Sequence, residues 1–428
     1  MPHYYVQTFG CQMNRAESAR LVAMLRGWGF EEAASPEEAD VAVVNACVVR
    51  QRAEERAVSR IRTLESFKDS HPGLTLAVTG CLVPPQDGHL QERFPQVDLF
   101  LPAGDLSSLE SWAVGHGLAG GCAVPVHAGP SAFLPVIQGC NNGCTYCIVP
   151  SRRGRERSRP PDQVVSEACA LEESGIREIV LLGQNVNAYG RDLPGEVRDL
   201  AGLLRGLQGI EGLLRIRFLT SYPTDITDSF LQDMSYLGRV CPAFSLPVQA
   251  GDDAVLSAMG RRYTVAQYRK LVSRIREALP GAGITTDVIV GFPGESEAQF
   301  ESTVSLVASE GFDAVHIAPY SPRPGTVAAR TLKDDVPSGE KKRRQRRLEA
   351  VQRAVATEAS TRLVGREVEV LVEDVSHRGQ GRGRTRSGRL VFFPAAEDTV
   401  GREVVVSVKQ ASPWWLQGTL KGGRITDD

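Results

Sequence analysis

Short apolar runs alternate with stretches of helical periodicity along most of the chain. YYVQTF (4–9), VAVVNA (41–46) and TLAVTG (75–80) read as strands, and residues 15–27 and 51–67 read as helices between them. Strands that return through helices pair in parallel. A second series has strand candidates at 133–138, 178–183, 213–219, 243–248, 284–290 and 313–319, with helical stretches such as 162–174 and 264–279 between them. Six such repeats predict a partial or complete (β/α) barrel. GLAGGCAVPVHAGPS (117–131) reads as a Gly/Pro-rich linker joining the two series. Residues 338–362 predict one long helix with a basic first half. Beyond Gly365 the pattern changes to EVEVLVED, RLVFFPA, REVVVSVKQ and WWLQGTL, the short segments of a small all-β barrel. The expected fold is α/β: an N-terminal parallel-sheet domain (1–118), a linker (119–131), a partial (β/α) barrel domain (132–362) and a C-terminal β-barrel (363–424).

The length of 428 residues fits several cores better than one. Charge changes the picture only locally. The net charge is −2, yet residues 341–389 carry fourteen Lys or Arg against six Asp or Glu, an excess of eight. A nucleic-acid surface is therefore expected as a patch, not as a property of the whole molecule. The opening MPHYYVQTFG has no basic segment followed by an apolar run, and no stretch reaches a membrane-spanning length. A cytoplasmic protein without a membrane partner is expected.

The candidate chemistry lies in cysteine. Nine are present, and Cys140, Cys144 and Cys147 fall in CNNGCTYC, directly after the strand FLPVIQG. Barrel enzymes build their sites at strand C-terminal ends. Three thiolates can hold three irons of a [4Fe-4S] cluster and leave the fourth open to a small molecule. The x3/x2 spacing is that of the radical-SAM motif, in which the open iron binds S-adenosylmethionine (SAM). A zinc knuckle is the alternative, but no second CxxC or nearby histidine completes a four-ligand set.

Cys11, Cys47 and Cys81 share a context: each lies at or just past the end of a predicted strand in the N-terminal domain. The ends of parallel strands line one edge of a sheet, where ligands bind. Three thiolates there make a second cluster site with an open position; three buried core cysteines are the alternative. Cys122, Cys169 and Cys241 lack such a context and read as packing or incidental thiols.

Arg152, Arg153, Arg155, Arg157 and Arg159 crowd the loop after the central triad. Phosphate contact and a solvated charged face are the two readings. Near the C-terminus Arg378, Arg382, Arg384, Arg386 and Arg389 lie close to Phe392 and Phe393, a mixture that suits RNA as well as a barrel core with a basic loop. The run KKRRQRR (341–347) is a further candidate for RNA.

With both triads placed, the chain resembles the methylthiotransferase family of radical-SAM enzymes. CNNGCTYCIVPSRRGRERSR (140–159) resembles the family's radical-SAM signature, and SLPVQAG (245–251), RRYT (261–264), TTDVIVGFPGE (285–295) and PYSPRPGT (319–326) extend the match. The resemblance runs from about residue 4 to residue 420. FGCQMNRAES (9–18) and NACVVRQRAEERA (45–57) are similar to the MiaB branch. Some positions depart from the family pattern, among them Ala46, Tyr222, Asp252 and Gly388.

The resemblance implies two [4Fe-4S] clusters, SAM, and a C-terminal TRAM domain that binds RNA. It implies that Cys140, Cys144 and Cys147 hold the cluster that cleaves SAM. The resulting radical takes the hydrogen from C2 of an N6-isopentenyladenosine at tRNA position 37, beside the anticodon. Cys11, Cys47 and Cys81 hold the cluster that carries the sulfur, which a second SAM methylates. Such a C–H bond is too inert for a side-chain base, so the cofactor must supply the reactivity. Candidate SAM contacts are Tyr146, Ile148, Gln184, Asn187, Ser221, Gln249 and Asp287, at or near strand ends. Candidate RNA contacts are Arg152, Arg153, Arg155, Arg157, Arg382 and Arg384. A reducing electron donor, a sulfur donor and a monomeric state are also expected. Alternatives are action on threonylcarbamoyl-adenosine tRNA or on a ribosomal protein, a non-catalytic iron–sulfur or zinc protein that binds RNA, and a radical-SAM enzyme with one cluster.

Overall fold

The computed structural model describes residues 1–85, 89–118, 120, 124, 125, 127 and 129–425. Cys122 and part of the proposed linker lie outside these residues. Among the described residues no helix is long and apolar enough to cross a membrane.

The N-terminal sheet is parallel throughout, in the order β2-β1-β3-β4-β5: β1 His3–Thr8, β2 Glu31–Glu32, β3 Val41–Ala46, β4 Thr75–Gly80 and β5 Leu99–Pro102. The central strand β3 is buried at every residue, which is why its sequence is apolar on both faces apart from Asn45 and does not alternate. Helices α1 (Gln12–Gly27) and α2 (Gln51–Lys68) each begin at the end of a strand, with Cys11 and Arg50 as their N-caps.

The middle of the chain forms six parallel strands in chain order: β6 Ser131–Pro135, β9 Glu178–Leu182, β10 Arg215–Phe218, β11 Ala243–Ser245, β12 Gly283–Val290 and β13 Ala314–Pro319. Between β6 and β9 lie two short antiparallel strands, β7 Ile137–Gln138 and β8 Arg157–Ser158. The two three-stranded halves meet through an Ile216–Val240 bridge and a Ser221 N–H donated to the Ser245 carbonyl at 2.9 Å. Among the described residues β13 and β6 do not pair, so the barrel is partial. One side of β6, β9 and β10 packs on the helices through Leu134, Ile179, Leu181 and Phe218. Alternation along the strands turns Phe133, Val180, Leu182 and Leu219 to the other side. There Met13 and Ala16 of α1 cover them, so the N-terminal domain is seated on the barrel's own strands.

Five strands close the C-terminal barrel: β14 Glu367–Val375, β15 Gln380–Thr385, β16 Leu390–Pro394, β17 Glu403–Ala411 and β18 Trp415–Ile425. Val370, Val391, Phe393, Val406 and Leu416 fill it. It is fixed to the central domain by arginines. Arg217 of β10 donates to the carbonyls of Arg386 and Thr385 at 2.8 and 2.7 Å and pairs with Glu178 at 2.6 Å. Arg215 donates to the Arg384 carbonyl at 2.6 Å and pairs with Glu403. Arg386 and Arg389 return the contact, Arg386 to the Gly238 and Val240 carbonyls and Arg389 to Asp313 and Ser360.

These pairs give much of the basic segment a structural role. The helix Ser338–Thr361 holds itself to the barrel with its basic run: Arg344 pairs with Glu295 at 2.8 Å, Arg343 with Glu297 and Arg347 with Glu301 at 2.6 Å, and Lys341 with Asp334 at 2.5 Å. Lys342 and Arg346 remain exposed. Exchanging Arg217 for Ala is expected to destabilise the chain by about 3–5 kcal/mol, because it strands the Glu178 carboxylate in a buried site. The side chains of Arg217 and Glu178 are 8% and 4% exposed. A shift of the urea midpoint measures the loss.

Candidate active site

The central cysteines lie in the excursion between β7 and β8. Its base is pinned by the Cys140 N–H on the Gly154 carbonyl at 3.2 Å and by Asn141 paired with Glu156 at 3.0 to 3.2 Å. Gln184, after β9, accepts from the Gly139 N–H at 2.6 Å and so holds the start of the loop. On the far side the Thr145 N–H reaches the Met259 carbonyl at 3.0 Å. The loop is thus tied to the start of β8, to the end of β9 and to the C-cap of the helix Asp253–Ala258. Burial pushes the Cys147 thiol up to about 12, and Cys144 and Cys140 beside it add to the rise. Burial also raises Cys140.

Cys11, Cys47 and Cys81 follow β1, β3 and β4, and parallel pairing in register brings them to one edge. Gly10 and Gly80 make the approach possible. A Cβ on Gly10 (φ +133°) would lie 2.5 Å from the Cys47 Cβ, and one on Gly80 (φ +88°) 2.4 Å from the Asn45 amide oxygen. Asn14 and Asn45 stand behind the cysteines. The Cys11 thiol donates to Asn14 Oδ1 at 3.3 Å, Asn14 Nδ2 donates to Asn45 Oδ1 at 2.6 Å, and Asn45 Nδ2 donates to Ser18 Oγ at 3.0 Å. Burial raises Cys47, and burial pushes Cys81 up to about 12 against the pull of Arg153. In protein stripped of iron the raised Cys81 and Cys147 thiols predict a reactivity pattern. At pH 8 a thiol near 12 is only about 0.01% thiolate. Cys81 and Cys147 are therefore expected to alkylate far more slowly than the exposed Cys11. Their labelling rises as pH climbs toward 12, and mass mapping of iodoacetamide adducts measures it.

The two triads are joined by the segment that follows Cys147. Ile148 is 4% exposed and packs in the N-terminal core with Cys81, Leu82 and Val83. This corrects its assignment as a SAM contact: its side chain belongs to the neighbouring domain's core. Arg153, at the end of the helix Val149–Arg153, is 5% exposed. Its Nε donates to Cys81 Sγ at 3.1 Å and its Nη1 to Glu17 at 2.5 Å. A side chain so enclosed does not meet RNA phosphates, which corrects that expectation as well. Arg159 is likewise structural, paired with Glu167 at 2.6 Å. Arg155 and Arg157 are exposed and Arg152 is half-buried.

After three strands of the partial barrel several polar atoms are buried and unpartnered: Asn187 Oδ1, Ser221 Oγ and Gln249 Oε1. They follow β9, β10 and β11. Gln249 (φ 75°) and Thr220 (φ 67°) adopt left-handed backbone, strained for residues with a Cβ. Buried polar atoms left without partners are costly. A small polar molecule entering here would satisfy them, and the amino acid and ribose groups of SAM have suitable chemistry. Tyr146 is half-buried with its ring edge-on to Phe292 at 6.5 Å. Asp287 lies within β12 and not at its end, opposite His316 of β13. Burial raises its carboxyl, while His316, Arg50 and Arg261 pull it down. Arg50 is three residues from Cys47 and Arg261 donates to Cys144 Sγ at 3.4 Å, so the charges acting on Asp287 include one from beside each triad.

Arg261 is the residue the sequence reading missed, although RRYT contained it. It is 9% exposed, donates to Tyr263 Oη at 2.8 Å and to the Pro247 carbonyl, and lies 4.6 Å over the Tyr222 ring. On the C-terminal barrel Phe393 is core, while Phe392 sits edge-on to Trp415 at 6.2 Å. Trp414 and Trp415, 47% and 37% exposed, are the aromatic surface that sequence reasoning passed over. Arg382 and Arg384 are exposed on β15 with Asp374 and Glu373 at 3.8 and 3.0 Å.

Both triads suit iron–sulfur clusters: all donors are sulfur and each set has three, one on a single loop and the other after three neighbouring parallel strands. Among the described residues no three of the His, Cys, Asp or Glu side chains gather tightly enough to share one metal ion. Structural zinc demands that convergence, whereas each cysteine of a cluster meets a different iron.

The partial barrel with a cysteine-bearing loop after its first strand defines a radical-SAM enzyme, a SAM-dependent transferase that uses SAM and two [4Fe-4S] clusters. Residues 134–307 match the Radical SAM superfamily, 3–102 the Uncharacterized protein family UPF0004 and 361–421 the TRAM domain. A tRNA-2-methylthio-N(6)-dimethylallyladenosine synthase from Dehalococcoides mccartyi (strain CBDB1) is 46% identical, over 98% of this chain and 99% of that protein. One from Roseiflexus sp. (strain RS-1) is 45% identical, over 97% of this chain and 89% of that protein. The chain belongs to the MiaB family of methylthiotransferases, whose members carry that name. Among solved structures, the radical S-adenosylmethionine methyltransferase TsrM from Kitasatospora setae shares the fold, with a TM-score of 0.57 at 15% identity, over 77% of each chain.

Proposed function

We propose that this chain adds a methylthio group to C2 of N6-isopentenyladenosine at position 37 of tRNA. The observation that supports the reading is the tie between the two three-cysteine sites: the segment after Cys147 packs Ile148 into the core that holds Cys81 and sets Arg153 on the Cys81 sulfur. When bound, the clusters supply the electron that opens the sulfonium C–S bond of SAM and the sulfur that is transferred. The protein's own residues place the reactants. Cys140, Cys144 and Cys147 hold the cluster that meets SAM, and Cys11, Cys47 and Cys81 hold the other. Asn187, Ser221 and Gln249 offer unpartnered polar atoms to SAM. Gln184 and Tyr146 border the same space, and Asp287 faces it from β12.

For tRNA, Arg152, Arg155 and Arg157 flank the cleft, and Arg382 and Arg384 with Trp414 and Trp415 supply charge and stacking surface from the TRAM barrel. The domain limits are 1–118, 132–362 and 363–424. The enzyme works as a cytoplasmic monomer with a reducing electron donor and a sulfur donor.

The test is anaerobic: reconstitute the chain with iron and sulfide, reduce it, and add SAM with isopentenylated tRNA. Mass spectrometry of the digested nucleosides is expected to show 2-methylthio-N6-isopentenyladenosine. A product found only with threonylcarbamoyl-adenosine tRNA or a ribosomal protein would overturn the substrate assignment.

A further inference from the structure

Arg153 occupies an unusual place. It follows Cys147 by six residues, so its backbone belongs to the SAM-cleaving half of the molecule. Its guanidinium reaches into the N-terminal half, where Nε donates to Cys81 Sγ at 3.1 Å. Nη1 and Nη2 form a two-pronged pair with Glu17 of α1, at 2.5 and 3.2 Å. The Arg153 and Glu17 side chains are 2% and 11% exposed, so water screens the pair little. A lysine offers one compact charge and cannot reach a sulfur and both carboxylate oxygens in one plane. A mere tie between domains would need Glu17 alone; the bond to a cluster sulfur goes beyond that.

We propose that Arg153 is a positioning residue for the N-terminal cluster, orienting Cys81 and setting that cluster's reduction potential from the barrel side, with Glu17 moderating the charge it delivers. The inference rests on the two-cluster reading above. Hydrogen bonds to cluster sulfurs and nearby net charge are levers on potential. Reduction adds negative charge to the cluster, so a buried cation at its sulfur favours the reduced state. The signs are therefore fixed. Neutralising Arg153 shifts the midpoint to more negative values. Neutralising Glu17 uncovers the guanidinium charge and shifts it to more positive values. A purely structural pair predicts no opposition between the two.

The experiment uses the full-length chain with Cys140, Cys144 and Cys147 all changed to alanine, so that only the N-terminal cluster is reconstituted. Iron analysis should give about four irons per chain. A redox titration followed by electron paramagnetic resonance is then run on this background and with Arg153→Gln, Arg153→Lys or Glu17→Gln added. The expected order of midpoints is Arg153→Gln lowest, Arg153→Lys next, then the background, and Glu17→Gln highest. If Arg153→Gln fails to hold iron, the sign of the Glu17→Gln shift decides alone: positive sustains the proposal, zero or negative overturns it. Equal shifts in both neutral variants overturn it too. A background that binds no iron overturns the two-cluster reading itself, an outcome distinct from unmoved potentials.

Discussion

Changing Cys140 to alanine is expected to abolish both SAM cleavage and methylthio transfer, while changing Cys81 to alanine abolishes transfer and leaves SAM cleavage in place. The asymmetry follows from which loop each cysteine occupies. Cys140 opens the excursion between β7 and β8, in the domain whose strands β9, β10 and β11 are followed by the unpartnered atoms of Asn187, Ser221 and Gln249. Cys81 follows β4 in the other domain and meets the segment after that loop through Arg153 and Ile148. Losing a ligand removes the cofactor's chemistry itself, so each loss should far exceed the ~10–100-fold typical of changes to a metal site's outer partners. Each variant should retain about four of an expected eight irons. Deoxyadenosine release, nucleoside mass spectrometry and iron analysis read the three quantities separately. A Cys81→Ala protein that still made the methylthio product, or a Cys140→Ala protein that still cleaved SAM, would show that the two sites are assigned to the wrong chemistry.

Which parts of this arrangement were legible in the sequence depends on whether they are local. Strand ends were: the largely apolar β3 and the glycine-cysteine steps at 10–11 and 80–81 announce a parallel-sheet edge without any partner strand in view. Partners distant in sequence were not. The run 341–347 reads as free charge until Glu297 and Glu301 arrive from 46 residues away to neutralise Arg343 and Arg347. Arg153 looks like Arg155 and Arg157 on paper. The short helix Val149–Arg153 turns it inward, whereas the other two lie beyond the turn at Gly154. Ile148 was assigned to SAM because it adjoins Cys147; its true neighbours are contributed by a different domain. Asp287 illustrates register: being inside β12 matters less than facing His316 across the pair, and only strand pairing reveals that.

Arg261 carries the second large effect. Its guanidinium lies 4.6 Å over the Tyr222 ring and 5.3 Å over that of Tyr263, donates to the Tyr263 hydroxyl and the Pro247 carbonyl, and reaches Cys144 Sγ at 3.4 Å. Arg261→Met preserves much of the volume and removes every polar contact. Two lost hydrogen bonds to a charged group cost about 1.5–3 kcal/mol each, and the ring contacts add about 0.5–2 kcal/mol. The methionine's own burial returns part of this, so a net destabilisation of about 3–5 kcal/mol is expected. Arg262, next in sequence, is the control: its side chain is exposed and its change to methionine should stay within about 0.5 kcal/mol. Stability alone would not separate a core role from one at the cysteine loop. Arg261→Lys does, because it keeps the charge and loses the fork that spans Pro247, Tyr263 and Cys144. It is expected to recover most of the stability but to cleave SAM ~10–100-fold more slowly than the native chain, the scale of an outer partner to a metal ligand. Denaturant midpoints and single-turnover deoxyadenosine release distinguish the two effects. Undiminished cleavage in the lysine variant would reduce Arg261 to a packing element beneath Tyr222.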